Sequence, residues 1–363
     1  MSGRGIVLYD FLHCQGGAER LTLDLVRGLP NADLGFGFRD IQYFPDTLLD
    51  GIRFFDLGVK ARFVGGRTVQ GLLAYRKRTG FLRDYDWVIY SGSVAPEAVY
   101  NHPEGLNLYY CHTIPRFAYD LRDYYVRQLN WWQFPVFQAL GAYVRHRYPR
   151  ALRRMDLIIA NSENVRRRIR KYLDLDSVVV HPPCDVEGYR WLGQEDYYLS
   201  TARLEPYKRV DLIVEAFGQM PDKRLIVASG GSDLERLKGL ARGADNIRFT
   251  GWIDDAELRK LTGKAIATIY LPKDEDFGMS PVESMAAGKP VLGVAEGGLM
   301  ETVVSGETGL LIGPEPKPDA VIEAVRVLDP QSVSAMRSEC EARARLFSRE
   351  RFLDQMRALV TGR

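Results

Sequence analysis

Cysteine is scarce in this chain, and no two of its cysteines lie close together. The four are Cys14, Cys111, Cys184 and Cys340 in a chain of 363 residues. There is no C-x-x-C pair and no spacing typical of a zinc site. The sequence therefore predicts free thiols in a reducing compartment rather than a disulfide framework.

The chain also lacks a strong charge imbalance and long apolar runs. The net charge is +2 at pH 7, so whole-chain electrostatics give no argument for a nucleic-acid partner. No apolar stretch approaches the ~20 residues of a membrane span, and the N-terminal run through Phe11 lacks the apolar core of a signal peptide. We therefore expect a cytoplasmic protein, and its length leaves room for two domains.

What the sequence does contain is a repeated alternation of short apolar runs and helical patterns. Predicted strands include 6–11, 33–38, 86–91 and 106–111 in the first half, and 197–202, 224–229, 265–271 and 291–294 in the second. This alternation is typical of doubly wound parallel sheets. A polar, aperiodic stretch at 184–196 predicts a linker between two domains.

The most informative segment is 274–291, which reads D-E-D-F-G-M-S-P-V-E-S-M-A-A-G-K-P-V. Pro281 and Gly288 are the residues expected near the start and just past the end of a short helix. Glu275 therefore lies on the loop before the helix, and Glu283 lies in its first turns. The loop N–H groups and the positive end of the helix suit an anionic or hydroxyl-rich ligand.

Two cations follow a predicted strand of the second half, in the run R-L-E-P-Y-K-R. Arg203 and Lys208 are five residues apart, between the strand and the next helix. Arginine offers a bidentate fork to phosphate oxygens and lysine a compact point charge. The pair is therefore predicted to clamp a diphosphate.

The first strand of the chain is followed by Gly16 and Gly17 and then by a helix. A strand, a Gly-Gly turn and a helix N-terminus form a corner that accepts anions. A tight strand-to-helix connection explains the two glycines equally well, and no G-x-G-x-x-G dinucleotide fingerprint is present.

A second polar run, H-T-I-P-R-F-A-Y-D, comes directly after the strand at 106–111. It begins with His112 and includes Arg116 and Asp120. Open α/β sheets bind ligands at the carboxyl ends of their strands, which makes His112 a candidate site residue. A histidine packed at a strand end is the alternative from the residue alone.

Together these motifs resemble the retaining GT-B glycosyltransferases of family 4, whose signature is E-x7-E. The match spans residues 10 to 313 and includes residues in register between and after the two glutamates. The resemblance implies an α/β GT-B fold with two Rossmann-like domains facing a central cleft. It implies an acceptor-binding domain at 1–184, a nucleotide-sugar-binding domain at 185–346, and a C-terminal helix at 347–363 that crosses back to the first domain.

The resemblance also assigns roles to residues. Glu275 would contact the donor sugar, Glu283 the ribose, and Arg203 and Lys208 the diphosphate. The implied donor site is Gly16, Gly17, Arg203, Lys208, Trp252, Ile253, Glu275, Phe277, Gly278, Met279, Ser280 and Glu283. The implied catalytic set is Glu275, His112, Lys208 and Arg203, and Arg116 and Asp120 are assigned to the acceptor. Arg209 stands where the family more commonly has glycine.

The implied reaction is transfer of a hexose from a nucleotide diphosphate sugar to a hydroxyl, with retention at the anomeric carbon. The run at 112–120 looks most like bacterial polysaccharide mannosyltransferases, which favours GDP-mannose as donor and a lipid-linked glycan or polysaccharide as acceptor. UDP-glucose, UDP-galactose and UDP-GlcNAc stay open. No cofactor or metal is expected, and we do not read 274–276 as a D-x-D metal motif, because Arg203 and Lys208 already offset diphosphate charge.

Residues 116–172 are unusually basic, with 13 Arg or Lys against four acidic residues, a net charge of +9. Aromatic residues are interleaved with these cations. Such a segment suits an anionic membrane surface, which would place the protein peripherally at the inner face of the plasma membrane. A solvated charged face with core aromatics is the alternative, and nucleic acid is not expected as a partner.

Two further readings stay open. A catalytically silent module could use the basic segment to bind a membrane or nucleic acid, although the intact Arg203, Lys208, Glu275 and Glu283 argue against it. A nucleotide-sugar synthase or a glycan phosphorylase is the other enzyme class, and nothing in the sequence resembles the pyridoxal-phosphate lysine site of a phosphorylase.

Overall fold

The computed structural model describes residues 3–13, 16–60 and 64–362. It divides into two compact units, one formed by Met1–His181 with Phe352–Arg363 and the other by Pro182–Arg351. The sequence-based divisions lie at 184/185 and 346/347. Cys14 lies outside the described residues, and the other three cysteines are buried free thiols.

The first unit is built on a seven-stranded, fully parallel sheet in the order β3-β2-β1-β4-β5-β6-β7. The strands are β1 (Gly5–Tyr9), β2 (Ala32–Phe36), β3 (Phe54–Asp56), β4 (Trp87–Ser91), β5 (Leu106–Cys111), β6 (Leu157–Ala160) and β7 (Val178–Val179). In the centre of the sheet β1 and β4 run in step, with Gly5 opposite Trp87 and Tyr9 opposite Ser91.

Helices connect these strands, as parallel pairing requires. They are α1 (Gly17–Gly28), α2 (Val64–Lys77), α3 (Arg122–Val126), α4 (Phe134–Leu152) and α5 (Glu163–Leu173), with 3-10 turns at Asp46–Leu48, Gly80–Asp84, Ala95–Asn101 and Arg116–Ala118. Strand β1 is buried on both faces: Ile6 and Leu8 belong to one core cluster, and Val7 and Tyr9 to the other. A continuous apolar run of this kind is what a doubly covered parallel strand needs.

The second unit repeats this architecture with six parallel strands in the order β10-β9-β8-β11-β12-β13. The strands are β8 (Tyr198–Ser200), β9 (Leu225–Val227), β10 (Ile247–Phe249), β11 (Thr268–Tyr270), β12 (Val291–Val294) and β13 (Gly309–Ile312). The two predicted parallel sheets with flanking helices are therefore confirmed.

The helices of this unit cover both faces of its sheet. They are α6 (Val210–Gly218), α7 (Leu234–Leu240), α8 (Asp255–Lys264), α9 (Met279–Ala286), α10 (Leu299–Thr302), α11 (Pro318–Val327), α12 (Ser332–Ala335) and α13 (Arg337–Arg345), with a 3-10 turn at Pro206–Lys208. The larger core cluster includes Phe217, Val282 and Met285, all shielded from solvent. Burial of these side chains fixes α6 and α9 against the strands.

The last helix, α14 (Arg349–Thr361), contributes to the core of the first unit. Phe352, Leu353 and Met356 are buried in the same cluster as Val7. Leu353 lies over Gly28, where a β-carbon would come within 2.4 Å of its methyl group. The first unit is therefore completed by residues more than 300 positions away from its first strand.

In each sheet the strand order reverses at one point, between β1 and β4 in the first unit and between β8 and β11 in the second. Ligands of open α/β sheets bind outside the carboxyl ends of the strands at such a point. The residues that follow these four strands are therefore the best candidates for a ligand-binding site. Among the described residues, the helices include none with the length and apolarity needed to cross a membrane.

Candidate active site

The switch point of the second unit brings Lys208 and Glu275 together. Lys208 lies on the 3-10 turn after β8, and Glu275 lies on the loop between β11 and α9. The Lys208 Nζ is 2.5 Å from a carboxylate oxygen of Glu275, and their side chains are only 13% and 16% exposed. Two residues predicted from separate motifs thus form one ion pair.

Tyr270 completes this arrangement, and the sequence analysis did not identify it. It is the last residue of β11, and its hydroxyl accepts a hydrogen bond from Lys208 Nζ at 3.2 Å. Lys208 Nζ also lies 5.4 Å from the ring centroid of Tyr207. The position at the end of a switch-point strand is the signal that could have identified Tyr270.

The charge of Lys208 follows from these neighbours. Burial acts to lower the pKa of Lys208, but the nearby Tyr270 and Glu275 outweigh it and hold that pKa above its ordinary value. Burial raises the pKa of Tyr270 above its ordinary value. Lys208 is therefore a charged ammonium group and Tyr270 a neutral phenol at physiological pH, a combination suited to binding an anion.

The loop that carries Glu275 is held through its backbone. Gly298 N–H donates to the Glu275 carbonyl at 2.8 Å. A β-carbon on Gly297 would lie 2.6 Å from that carbonyl oxygen, and one on Gly298 would lie 2.4 Å from Phe277 Cα. Because no side chain fits here, both positions need glycine for the loops to approach so closely.

Helix α9 starts where the sequence predicted a short helix. Gly278 precedes it with a φ of 90°, a left-handed conformation that favours glycine, and Met279 and Ser280 open the first turn. Glu283 is partly buried on this helix, and it acts with burial to raise the pKa of Cys184. The E-x7-E pair therefore occupies the loop and the helix predicted for it, and its ligand contacts stay a prediction.

The other donor-site candidates of this unit lie at the same edge of its sheet. Arg203 is exposed. Burial raises the pKa of Tyr207, the residue before Lys208, and the positive charge of Arg203 acts against this rise. Trp252 is 72% exposed, and its indole covers Gly230, where a β-carbon would meet the ring at 2.4 Å. Ile253 instead packs against a small core cluster. The exposed indole offers a stacking surface for a base.

The first unit has its own polar cluster at the β1/β4 switch point. Asp10 follows β1, and its carboxylate accepts hydrogen bonds from the backbone N–H groups of Ser93, Val94 and Ala95 at 2.7–2.9 Å. Gly16 precedes α1 in an extended conformation and Gly17 opens that helix. Asp10 was not predicted to have a role, and its contacts show that it fixes the loop after β4.

His112 follows β5 and contacts the last residue of β4. Its Nε2 lies 2.7 Å from the hydroxyl oxygen of Ser91. Burial lowers the pKa of His112 to about 4. The imidazole is therefore neutral at physiological pH, and it can share a proton with a hydroxyl but carries no charge to offer a phosphate.

Arg116 and Asp120, assigned to the acceptor by resemblance, bind each other. The guanidinium donates two hydrogen bonds to one carboxylate oxygen of Asp120 at 2.9 and 2.7 Å. Arg168 approaches the same oxygen at 3.7 Å and donates to the Thr113 hydroxyl at 3.2 Å. This network ties the segment after β5 to α5, and the acceptor role of the two residues stays a prediction.

No cluster of three or more His, Cys, Asp or Glu side chains arranged to hold a metal ion occurs in the described parts of the chain. A second ion pair, between Arg209 and Glu296, lies beside Lys208 and Glu275. The sequence analysis noted Arg209 only as a departure from glycine and gave Glu296 no role.

The comparisons with known proteins agree with this architecture. Residues 186–346 match the model of a family described as glycosyl transferases group 1. The alpha-1,3/1,6-mannosyltransferase ALG2 of Kluyveromyces lactis is 26% identical over 359 residues, covering 80% of this chain and 69% of that protein. The ALG2 protein of Dictyostelium discoideum is 34% identical over 150 residues, covering 35% and 36%.

A D-inositol 3-phosphate glycosyltransferase of Mycobacterium tuberculosis is 30% identical over 182 residues, covering 43% of this chain and 38% of that protein. The match to this protein and to the Dictyostelium protein thus spans little more than a third of their lengths.

Two solved structures show the same fold. Anabaena Alr3699/HepE in complex with UDP and glucose has a TM-score of 0.75 at 18% identity, covering 99% of this chain and 100% of that one. Sucrose-phosphate synthase from Thermosynechococcus elongatus has a TM-score of 0.77 at 19% identity, covering 99% and 98%. Their likeness over almost the whole chain confirms the predicted GT-B fold, with its two parallel sheets and flanking helices.

The lowered pKa of His112 predicts a pH dependence of stability. The pKa of an unfolded histidine is about 6.5, so between pH 6.5 and about 4 the unfolded chain binds more protons at this residue than the folded chain does. The free energy of unfolding should therefore fall as the pH falls through this window.

Replacement of His112 by Asn should flatten this pH dependence, measured as denaturation midpoints between pH 7.5 and 4.5. Replacement of the exposed His146 by Asn is the matched control for losing a histidine. An unchanged slope in the His112 variant would show that this residue does not titrate as the structure indicates.

Proposed function

We propose that this chain, whose residues 186–346 match the model of the group 1 glycosyltransferases, transfers a hexose from a nucleotide diphosphate sugar to a hydroxyl group, with retention at the anomeric carbon. Our first choice of donor is GDP-mannose, and the proposed acceptor is a lipid-linked glycan or a growing polysaccharide. The observation that supports this proposal best is the buried pair of Lys208 and Glu275 at the switch point of the second sheet.

This pair supplies the two functions that a sugar donor requires. The ammonium group of Lys208 can bind diphosphate oxygens, and the carboxylate of Glu275 can accept hydrogen bonds from sugar hydroxyls. Both groups are largely shielded from water. Electrostatic interactions in such surroundings are stronger than in bulk solvent. Exposed Arg203, on the same loop, is proposed as the second cation for the diphosphate.

The choice of mannose rests on the run at 112–120 and on two relatives. Proteins named alpha-1,3/1,6-mannosyltransferase from two organisms are among those to which this chain is similar. A UDP-sugar is the alternative, because one structure of the same fold contains UDP and glucose.

The proposed chemistry depends on charge stabilisation. As the bond to the anomeric carbon breaks, negative charge grows on the leaving diphosphate, and Lys208 and Arg203 are placed to stabilise it. In a front-face reaction the leaving phosphate oxygen takes the proton of the acceptor hydroxyl, so neither glutamate acts as a covalent nucleophile. We propose that no metal ion is needed, because these two cations already offset the charge of the diphosphate.

The proposed acceptor residues belong to the first unit. Neutral His112, hydrogen-bonded to Ser91, can donate to or accept from a sugar hydroxyl. Arg116 and Asp120 are proposed to act indirectly, by fixing the loop after β5 through their ion pair.

Replacing Lys208 or Glu275 by Ala should abolish transfer, with a loss of kcat/KM of at least about 100-fold. Each change removes the oppositely charged partner of a largely shielded group, so folding must be checked by circular dichroism and melting temperature. Replacement of the exposed Glu235 by Ala in the same unit is the control. Near wild-type turnover in either site variant would refute the proposed site.

A thermal-shift screen with GDP, UDP and ADP identifies the base of the donor. The preferred nucleotide at 100 times its Kd should raise the melting temperature by roughly 5 °C, and the Lys208→Ala variant should lose this response. GDP is the expected ligand. A response to none of the three would instead support a catalytically silent module.

We further propose that the first unit binds an anionic membrane through residues 125–146, which run from the end of α3 into α4. The Trp131 side chain is 88% exposed, and Trp132, Phe134 and Val136 are also exposed beside it. Singly exposed apolar residues are normal, but a contiguous group of aromatic residues is typical of a contact surface. Tryptophan in particular suits the headgroup region of a lipid bilayer.

Only some of the cations in the basic segment 116–172 are available to bind a membrane. Arg116, Arg147 and Arg168 are engaged with the shielded carboxylates of Asp120 and Glu97, so their charge is partly neutralised within the protein. Exposed cations within this segment or close to it in sequence include Arg127, Arg145 and Arg150. Cations flanking exposed aromatic residues favour a lipid surface that carries negative charge.

Replacing both Trp131 and Trp132 by Ala should weaken binding to vesicles of phosphatidylglycerol and phosphatidylcholine by more than about tenfold, since burial of even half of each ring is favourable by over ~1.4 kcal/mol. Co-sedimentation measures this, and high salt should also weaken binding. Replacement of the exposed Ile41 by Ala is the control. Equal binding of wild type and double variant would refute this surface.

A further inference from the structure

Two consecutive residues, Lys208 and Arg209, send their side chains to two different loops. Lys208 binds Glu275, and Arg209 binds Glu296 through one guanidinium nitrogen and one carboxylate oxygen. The divergence follows from the backbone, because Arg209 has a φ of 53° and a ψ of 35° between the 3-10 turn and α6.

This conformation is costly for any residue with a β-carbon, whereas glycine adopts it freely. Arg209 is a non-glycine residue in the left-handed region and directly follows Lys208 of the proposed site. Such a conformation favours a functional role for the Arg209 side chain. In Arg209 that side chain is only 13% exposed, and its partner Glu296 is 19% exposed. A charge pair so shielded depends on both partners, since removal of one leaves the other poorly solvated.

Glu296 begins the loop that supports the backbone around Glu275. It is followed by Gly297 and Gly298, which lie directly against the segment from Asp274 to Phe277. The Gly298 N–H donates to the Glu275 carbonyl at 2.8 Å. A shift of Glu296 is therefore transmitted to Glu275 by backbone contact, without any intervening flexible side chain.

These contacts form a closed ring. From Lys208 the ring passes through the ion pair to Glu275, through the hydrogen bond to Gly298, along the chain back to Glu296, and through the second ion pair to Arg209, which is bonded to Lys208. Breaking the contact between Arg209 and Glu296 opens the ring, so that the two loops are held to the turn of Lys208 by one ion pair instead of two.

We propose that Arg209 and Glu296 are positioning residues that brace the Lys208 and Glu275 loops for sugar transfer. The proposal rests on the proposed function of Lys208 and Glu275 and assigns the second ion pair a role that acts through the first. The proposal gives Arg209 no direct contact with the diphosphate, because its guanidinium is paired with Glu296.

The decisive variant is Arg209→Gly, because glycine removes the brace and also suits the positive φ. Relief of the positive φ offsets part of the cost of leaving Glu296 poorly solvated, so the melting temperature should change by only a few degrees, while kcat should fall at least tenfold. Affinity for the nucleoside diphosphate should change less than threefold, since Lys208 and Arg203 are retained. Arg209→Lys keeps a cation and should recover part of kcat.

Glu296→Gln tests the other end of the brace. It should lower kcat in the same way, and the double variant Arg209→Gly, Glu296→Gln should be no slower than the slower single variant, because both changes remove one contact. Arg236→Met, which removes the ion pairs of Arg236 with Asp233 and Asp211 in the same unit, is the matched control and should leave kcat unchanged.

Three outcomes would overturn the brace: unchanged kcat in Arg209→Gly, a loss of nucleotide affinity as large as the loss of kcat, or a fall in melting temperature with normal kinetics. The first denies any role, the second makes Arg209 a phosphate ligand, and the third makes it purely structural. Wild-type transfer in Lys208→Ala would instead refute the proposed function itself, which keeps the two failures distinguishable.

Discussion

The candidate site depends on the ion pair between Lys208 and Glu275. A lysine that is only 13% exposed keeps its charge because an opposite charge lies 2.5 Å away. The pair therefore holds a cation in place at the sheet edge before any donor arrives. Little side-chain freedom remains to be lost when a diphosphate binds, which favours affinity. The same carboxylate that keeps the lysine charged is the group proposed to meet the sugar, so one contact prepares both halves of the donor site.

The sequence predicted the elements that carry this pair, because their signals are local. Alternating strands and helices identified both sheets, and the residues around Pro281 and Gly288 identified a helix that spans Met279–Ala286. Since parallel strands all end at one edge, residues placed just after two strands are expected to be neighbours. That reasoning was sufficient for Lys208 and Glu275, although they are 67 residues apart.

Contacts without a local signal could not be predicted in this way. Tyr270 reads as an ordinary strand residue, and only the register of β11 beside β8 places its hydroxyl 3.2 Å from Lys208. Arg209 and Glu296 are separated by 87 residues, and no sequence pattern around either residue predicts their contact. The same is true of the basic segment 116–172. A count of its charged residues does not reveal that Arg147 and Arg168 lie against shielded carboxylates.

The backbone conformations around Glu275 explain why this edge of the sheet is specified so closely. Asp274 has a φ of 47° and Arg209 a φ of 53°, and Gly278 and Gly297 are also left-handed at 90° and 62°. Each of the two non-glycine residues adopts a conformation that isolated chains avoid. Such conformations persist only where surrounding contacts determine them. Here the two ion pairs and the close approach of the glycine loop lie beside these residues, so the unusual backbone conformations and the side chains of the candidate site share the same surroundings.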